Sequence, residues 1–193
     1  MILFIYRLVY YALWPICHLL YPMTVSGREN IPMGACVICA NHSNYIDPLL
    51  LIYAFTLKNI LHTMSKKENL SIPVIGKLYK WCGAFPVERG SADIKAVRTV
   101  YSLLKSGEKV VIFPEGTRKN FNDESAGKNG AVRFSAKLNL PIVPVFITRR
   151  KKVFRKVNIN IGQPYHVDMQ SSSEADEQTT VLMKKIFALG EEI

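Results

Sequence analysis

The chain is short of acid. Fifteen Asp and Glu stand against 25 Lys and Arg, a formal net charge of +10 over 193 residues. That balance points to an anionic partner: a lipid surface, a nucleic acid or an acidic carrier protein. A nucleic-acid patch is missing, because no dense basic run is interleaved with aromatics. The nearest candidate is Arg149-Arg150-Lys151-Lys152, followed by Phe154, Arg155 and Lys156. It suits a strand-to-strand turn resting on anionic lipid head groups at least as well as a nucleic-acid contact. Cysteine is scarce too, at four residues. Cys36 and Cys39 have the spacing of a redox or zinc motif. Residues Ala35 to Ala40 read as a buried strand, however, and side chains three apart in a strand point to opposite faces. No second cysteine pair exists to complete a zinc site, so reduced, buried thiols and no metal are expected. The first 23 residues lack a small-residue cleavage site, which argues against a secretory signal. Internal repeats, low-complexity segments and a clear domain boundary are also missing.

What is abundant is apolar surface: 49% of residues are hydrophobic and the mean hydropathy is +0.10, high for a soluble protein. Residues 2 to 23 are apolar and aromatic, long enough to approach the thickness of a hydrocarbon core. Arg7, Pro15, Trp14 and several tyrosines interrupt them. Tyr and Trp favour the membrane interface, so the segment reads as a helix in or dipping into that interface, with a true span and a core helix as alternatives.

Residues 24–193 alternate short strands with helices, the pattern of a single α/β domain whose mostly parallel or mixed sheet is flanked by helices. Expected strands include Ala35 to Ala40, Asn59 to Ser65, Lys109 to Phe113, Ile142 to Thr148 and an edge strand at Val157 to Ile161. Lys66-Lys67-Glu68 opens a loop in this reading. The last helix turns Val181, Leu182, Ile186, Phe187 and Leu189 inward.

In such sheets the polar loops at the carboxyl ends of strands build the site. Three are heavily loaded. Asn41-His42-Ser43-Asn44-Tyr45-Ile46-Asp47-Pro48 holds a histidine and a carboxylate five positions apart. Histidine is the usual general base near neutral pH, and a buried carboxylate on its far nitrogen fixes its tautomer. The plain structural alternative is that Asp47-Pro48 only starts a helix, with Asp47 as its N-cap. Phe85-Pro86-Val87-Glu88-Arg89-Gly90 and Phe113-Pro114-Glu115-Gly116-Thr117-Arg118 each bring Glu and Arg out of an apolar strand beside a glycine. Arginine offers a rigid fork that fits a phosphate.

Taken together and in order, these blocks resemble the glycerolipid acyltransferases. Asn41 to Asp47 matches their histidine-four-residues-aspartate motif; Gly83 to Gly90 resembles the second block, Val111 to Arg118 the third, and Leu140 to Val145 the fourth. Lys66-Lys67-Glu68 with Ile72 to Gly76 resembles the stretch between the first two, and the likeness runs from about Val25 to Gly162. It lies nearest the bacterial 1-acylglycerol-3-phosphate (lysophosphatidate) type. The resemblance implies a glycerol-3-phosphate acyltransferase-like fold and transfer of a fatty acyl group from a thioester, acyl-CoA or acyl-acyl carrier protein, to the 2-hydroxyl of lysophosphatidic acid. It implies His42 as base, oriented by Asp47. Arg89 and Arg118 would hold the phosphate, with Lys66 or Lys67 a third candidate, and Glu115, Gly116 and Thr117 would line a substrate loop. It implies no cofactor, and a place at the cytoplasmic face of the cell membrane among its lipids. An oxyanion donor is expected from a backbone N–H near the third block. The apolar stretches Pro48 to Phe55 and Pro73 to Trp81 are the expected acyl slot. The alternatives are a related acceptor, such as another lysophospholipid or glycerol 3-phosphate, and a non-catalytic membrane-binding protein.

Overall fold

A computed structural model describes residues 2–88, 93–118, 127–169 and 171–191. The chain opens with helix α1 (Ile2–Leu20) and strand β1 (Met23–Ser26), then passes through a 3-10 turn at Arg28–Asn30 into β2 (Cys36–Ala40). There follow α2 (Asp47–Phe55), β3 (Leu61–Lys66), α3 (Lys67–Ser71), α4 (Ile75–Trp81) and β4 (Ala84–Val87). The second half runs α5 (Ile94–Lys105), β5 (Lys109–Ile112), α6 (Gly130–Leu138), β6 (Ile142–Ile147), β7 (Val157–Ile161) and α7 (Ala175–Glu191).

The strands form one seven-stranded sheet in the order β1-β7-β6-β2-β5-β3-β4. Strands β6, β2, β5, β3 and β4 are mutually parallel, β7 pairs antiparallel with β6, and β1 joins β7 in parallel. The mixed, largely parallel sheet is the one expected. Helices cover both of its faces, so its central strands are apolar without alternation; β2 is buried at every residue. Within β2 the pleat sends Cys36, Ile38 and Ala40 into a core with α2 and part of α1, and Val37 and Cys39 into one with α5, α6 and α7. The two cysteines therefore face opposite sides, as the strand reading requires. Helix α2 is apolar nearly all round, with Leu50 to Phe55 buried and Pro48 and Leu49 half-buried. Helix α5 starts where the Asp93 side chain accepts the Ala96 N–H at 2.9 Å, and ends at Gly107, whose φ of +89° suits glycine.

The details of four expectations change. Residues from Lys67 form the short helix α3 rather than a loop. Strand β7 is not an edge, because β1 pairs along its outer side; its alternating pattern comes from the half-buried Asn158 and Asn160, and the Asn160 side chain accepts from Ser26 Oγ and donates to the Leu189 carbonyl. Val181 lies on the outer face of α7 while Leu182, Met183 and Ile186 point inward. Asp47 is a helical residue of α2, whose N-cap position is Ile46.

Candidate active site

The carboxyl ends of β2, β5, β3 and β6 point to one edge of the sheet, and their loops meet there. Asn41 fixes where the chain leaves β2. Its amide donates to the Ile147 carbonyl at 2.8 Å and its oxygen accepts the Ile147 N–H at 2.7 Å, stapling the ends of β2 and β6 together. His42 follows at once, its ring stacked on Phe113 at the end of β5, with centroids 4.1 Å apart.

Asp47 returns from the start of α2 to meet it. His42 Nδ1 lies 2.9 Å from Asp47 Oδ2. The same oxygen accepts the backbone N–H groups of Ser43 and Asn44, each at 2.8 Å. Asp47 therefore closes the turn before its helix instead of capping the helix itself. Its other oxygen, Oδ1, is 2.8 Å from Lys151 Nζ, and both side chains are fully buried. The approach is close but poorly directed for a hydrogen bond, so the contact is an ion pair. Burial is the largest influence on this carboxyl and pushes it up, but His42, Lys151 and the Asn44 N–H together hold it below the ordinary value. An ionised carboxylate only accepts, so His42 must present its Nδ1–H to Asp47, which leaves the Nε2 lone pair to act as a base.

Lys151 is held on three sides. Besides Asp47, its ammonium donates to Ser43 Oγ at 2.7 Å and to the Thr148 carbonyl at 2.5 Å. Desolvation lowers its pKa and the neighbouring carboxylates of Asp47 and Glu115 work against that. Ser43 Oγ in turn donates to the Arg149 carbonyl at 2.8 Å. Half of the basic run between β6 and β7 is thus turned into the site: the Lys151 side chain is fully buried and that of Arg149 is 12% exposed.

A cavity of about 250 Å³ opens at His42. One part of its wall is apolar, with Pro48, Leu49 and Ile52 from α2, Leu78 from α4 and Cys82 just beyond it. Another part is cationic, with Lys66, Arg118 and Lys128. Both stretches expected to form an apolar slot contribute to this wall. Arg118 is exposed, its guanidinium 3.5 Å over the Tyr45 ring, a cation–π contact that holds it beside the cavity. Burial pushes the Cys82 thiol up to about 11, so it is no nucleophile near neutral pH.

The expected site residues separate into groups. His42, Asp47, Gly116, Arg118 and Lys66 meet at or directly behind the cavity wall. Glu115 is buried behind it, where its Oε2 accepts the His42 N–H at 3.3 Å and its Oε1 lies 3.8 Å from Arg149 Nη2; it supports the backbone of His42 rather than facing the cavity. Thr117 is exposed and outside the cavity wall. Lys67 pairs with Glu88 at 2.8 Å on the surface, both side chains more than half exposed, and also lies outside it. Lys66, which does line the cavity, is 3.3 Å from Glu68. Arg89 lies outside the described residues. Of the third-block N–H groups, that of Gly116 is spent on the Phe113 carbonyl at 3.0 Å, in a turn where glycine meets a φ of +69°. The sequence reading missed Lys151, Arg149 and Lys128. No local pattern marks Lys151 within its basic run; only the position of β6 beside β2 brings it to Asp47. Among the described residues no group of His, Cys, Asp and Glu is arranged to hold a metal ion.

The chain is similar to known proteins in sequence and in fold. A family model described as "Acyltransferase" matches residues 22–148. A 1-acyl-sn-glycerol-3-phosphate acyltransferase of Bacillus subtilis (strain 168) is 34% identical over 148 residues, covering 74% of this chain and 73% of that protein. One of the same name from Borreliella burgdorferi is 31% identical over 178 residues, covering 84% and 69%. The crystal structure of the 1-acyl-sn-glycerophosphate acyltransferase PlsC from Thermotoga maritima superposes with a TM-score of 0.68 at 22% identity, over 98% of this chain and 78% of that one.

Proposed function

The chain belongs to the acyltransferase family, and from that premise we propose that it transfers a fatty acyl group from an acyl thioester to the 2-hydroxyl of lysophosphatidic acid, giving phosphatidic acid. The observation that carries this reading is the His42–Asp47 pair at a cavity whose wall is apolar on one part and cationic on another. A lysophosphatidate has the matching halves. The names of the B. subtilis and B. burgdorferi relatives support the same acceptor.

In the proposed reaction His42 Nε2 takes the proton of the acceptor hydroxyl as its oxygen attacks the thioester carbonyl. The C–O bond forms, the tetrahedral intermediate collapses, the C–S bond breaks, and the imidazolium returns its proton to the departing thiolate. Atoms and charge balance between thioester, hydroxyl and imidazole. Asp47 favours the imidazolium and holds the ring, and stacking on Phe113 fixes its plane. Among the described residues no serine, threonine or cysteine side chain is hydrogen-bonded to His42, which favours direct transfer over an acyl-enzyme. Arg118 and Lys66 are the phosphate ligands in this account, and Lys128 joins them because it lines the same part of the wall. The acyl chain occupies the slot between α2 and α4.

The lipid substrate implies work at a membrane surface, with acyl-CoA or acyl-acyl carrier protein arriving from the cytoplasmic side. Among the described residues no helix is long and apolar enough to cross a membrane. The exposed Phe4, Leu8, Tyr11 and Leu19 of α1 fit a helix lying in the interface. The test is an acceptor panel in mixed micelles, offering an acyl thioester with lysophosphatidate, glycerol 3-phosphate or a neutral lysolipid. Phosphatidate from lysophosphatidate, with little product from the other two, is the expected result. A preference for either other acceptor would overturn the substrate assignment and leave the family standing.

A further inference from the structure

The loop between β6 and β7 has a second, outward side. Its tip is apolar: Val153 is 47% exposed and Phe154 67%. Phe154 has a φ of +62°, a left-handed conformation that bulky residues rarely adopt, so the exposed ring sits on strained backbone. Four exposed cations flank it, Arg150, Lys152, Arg155 and Lys156, and no acid occurs between Arg149 and Lys156. The Phe154 N–H donates to the Leu20 carbonyl at 2.7 Å, which ties the tip to the end of α1. That helix is apolar on two sides. Tyr6, Val9 and Cys17 face the core, whereas Phe4, Leu8, Tyr11, Ala12, Pro15 and Leu19 recur at helical spacing on the exposed side. Leu19 brings this stripe to the helix end where Phe154 is bonded.

We propose that the Val153–Phe154 tip is a second membrane-contacting element, seated at the boundary between head groups and acyl chains of an anionic leaflet beside the α1 stripe. The proposal rests on the membrane reading above and adds a surface and a lipid chemistry to it. Two apolar side chains ringed by cations match an anionic interface, with the rings buried among acyl chains and the cations on phosphates. They are too few to form a specific protein interface, which commonly buries about 800 Å² per partner. The tip also sits close to the chemistry. Phe154 is three residues beyond Lys151, whose ammonium touches Asp47, so their Cα atoms are at most about 11 Å apart. Contact at the tip thereby sets the catalytic pair near head-group depth, where the hydroxyl of a lysolipid lies.

The experiment co-sediments the full chain with vesicles of phosphatidylcholine alone or mixed with anionic phosphatidylglycerol. Val153→Ser/Phe154→Ser should lower partition to both vesicles by about tenfold, because apolar burial is lost. Lys152→Gln/Arg155→Gln/Lys156→Gln should lower partition to the anionic vesicles alone, by about fivefold per charge at low salt, and added salt should erase the difference. Turnover of a short-chain lysophosphatidate dispersed as monomers should stay unchanged in the tip variant. In a Trp14→Phe/Trp81→Phe background, Phe154→Trp should be quenched by brominated acyl chains. Wild-type partition in the tip variant, or an unquenched Trp at 154, would overturn the proposal. If Leu8→Ser/Leu19→Ser still reduces partition, the membrane reading survives that result; if no variant changes it, the membrane reading falls with the tip.

Discussion

The replacement of Asp47 by Asn tests the ion pair that the sequence did not reveal. In a simple His–Asp pair the amide would keep an acceptor for one neighbour and lose mainly charge. Here Oδ2 receives three donors and Oδ1 faces an ammonium 2.8 Å away, so all four neighbours are donors. An amide placed with its oxygen toward His42 aims its NH2 at Lys151, and the opposite rotamer aims it at three N–H groups. Either way a fully buried cation loses its nearest counter-charge. Breaking a buried pair by removing one partner costs about 3–5 kcal/mol. At about 2–4 °C per kcal/mol for a chain this long, the melting temperature should fall by about 6–20 °C. Asp47→Asn/Lys151→Met removes the stranded charge and should recover much of that loss; Ser43 Oγ and the Thr148 carbonyl still lose their donor, so recovery is incomplete. Activity should stay lost in both, since neither restores the carboxylate on His42. Thermal and urea unfolding of wild type, both single variants and the double variant complete the cycle, with an expected coupling of about 2 kcal/mol or more. Additivity to within about 0.5 kcal/mol would refute the buried pair.

Lys151→Met alone should move the acid limb of the kcat/KM profile to higher pH, because the Asp47 charge on the imidazolium is no longer shared; an unmoved limb would confine Lys151 to structure. Arg118→Ala should raise the KM for lysophosphatidate about tenfold with kcat little changed, and Lys128→Ala should add to it. Leu49→Trp, on the apolar wall, should shift the preference from long to short acyl thioesters in direct competition. Asp47 also sets an acid limit. Its folded pKa lies below the ordinary 3.8, so its stabilisation is complete above that value and is lost as pH falls through the lower folded value. Urea midpoints between roughly pH 2 and 5 should drop steeply in wild type and more gently in Asp47→Asn/Lys151→Met.

The parts of the fold legible in the sequence are those set by local pattern. An unbroken apolar run from Cys36 to Ala40 needs cover on both faces, and the pleat then separates its two cysteines. Strand β7 was misread because its alternation is that of any half-covered strand, and β1, far away in the chain, supplies the pairing that takes it off the edge. Asp47 before Pro48 has the local signature of a helix cap, but His42 and Lys151 claim its two oxygens through contacts that no local pattern encodes. Glu115 read as a substrate-loop residue, whereas its carboxylate is buried against the His42 backbone. The His42–Asp47 pairing was legible because the four residues between them are enough for a turn that folds one back on the other.

The proposed reaction turns on His42 Nε2 removing the proton from the acceptor hydroxyl. Phosphatidate formation from acyl thioester and lysophosphatidate, compared between wild type and His42→Ala at matched folded concentration, measures that step. The ring is 11% exposed, and without it Asp47 keeps its hydrogen bonds from Ser43 and Asn44 and its ion pair with Lys151. The variant should therefore fold and bind vesicles as wild type does while turnover falls by at least about a thousandfold. A folded His42→Ala enzyme that retains more than about a tenth of wild-type turnover would contradict the account, because the general-base contribution it assigns to this ring would be missing.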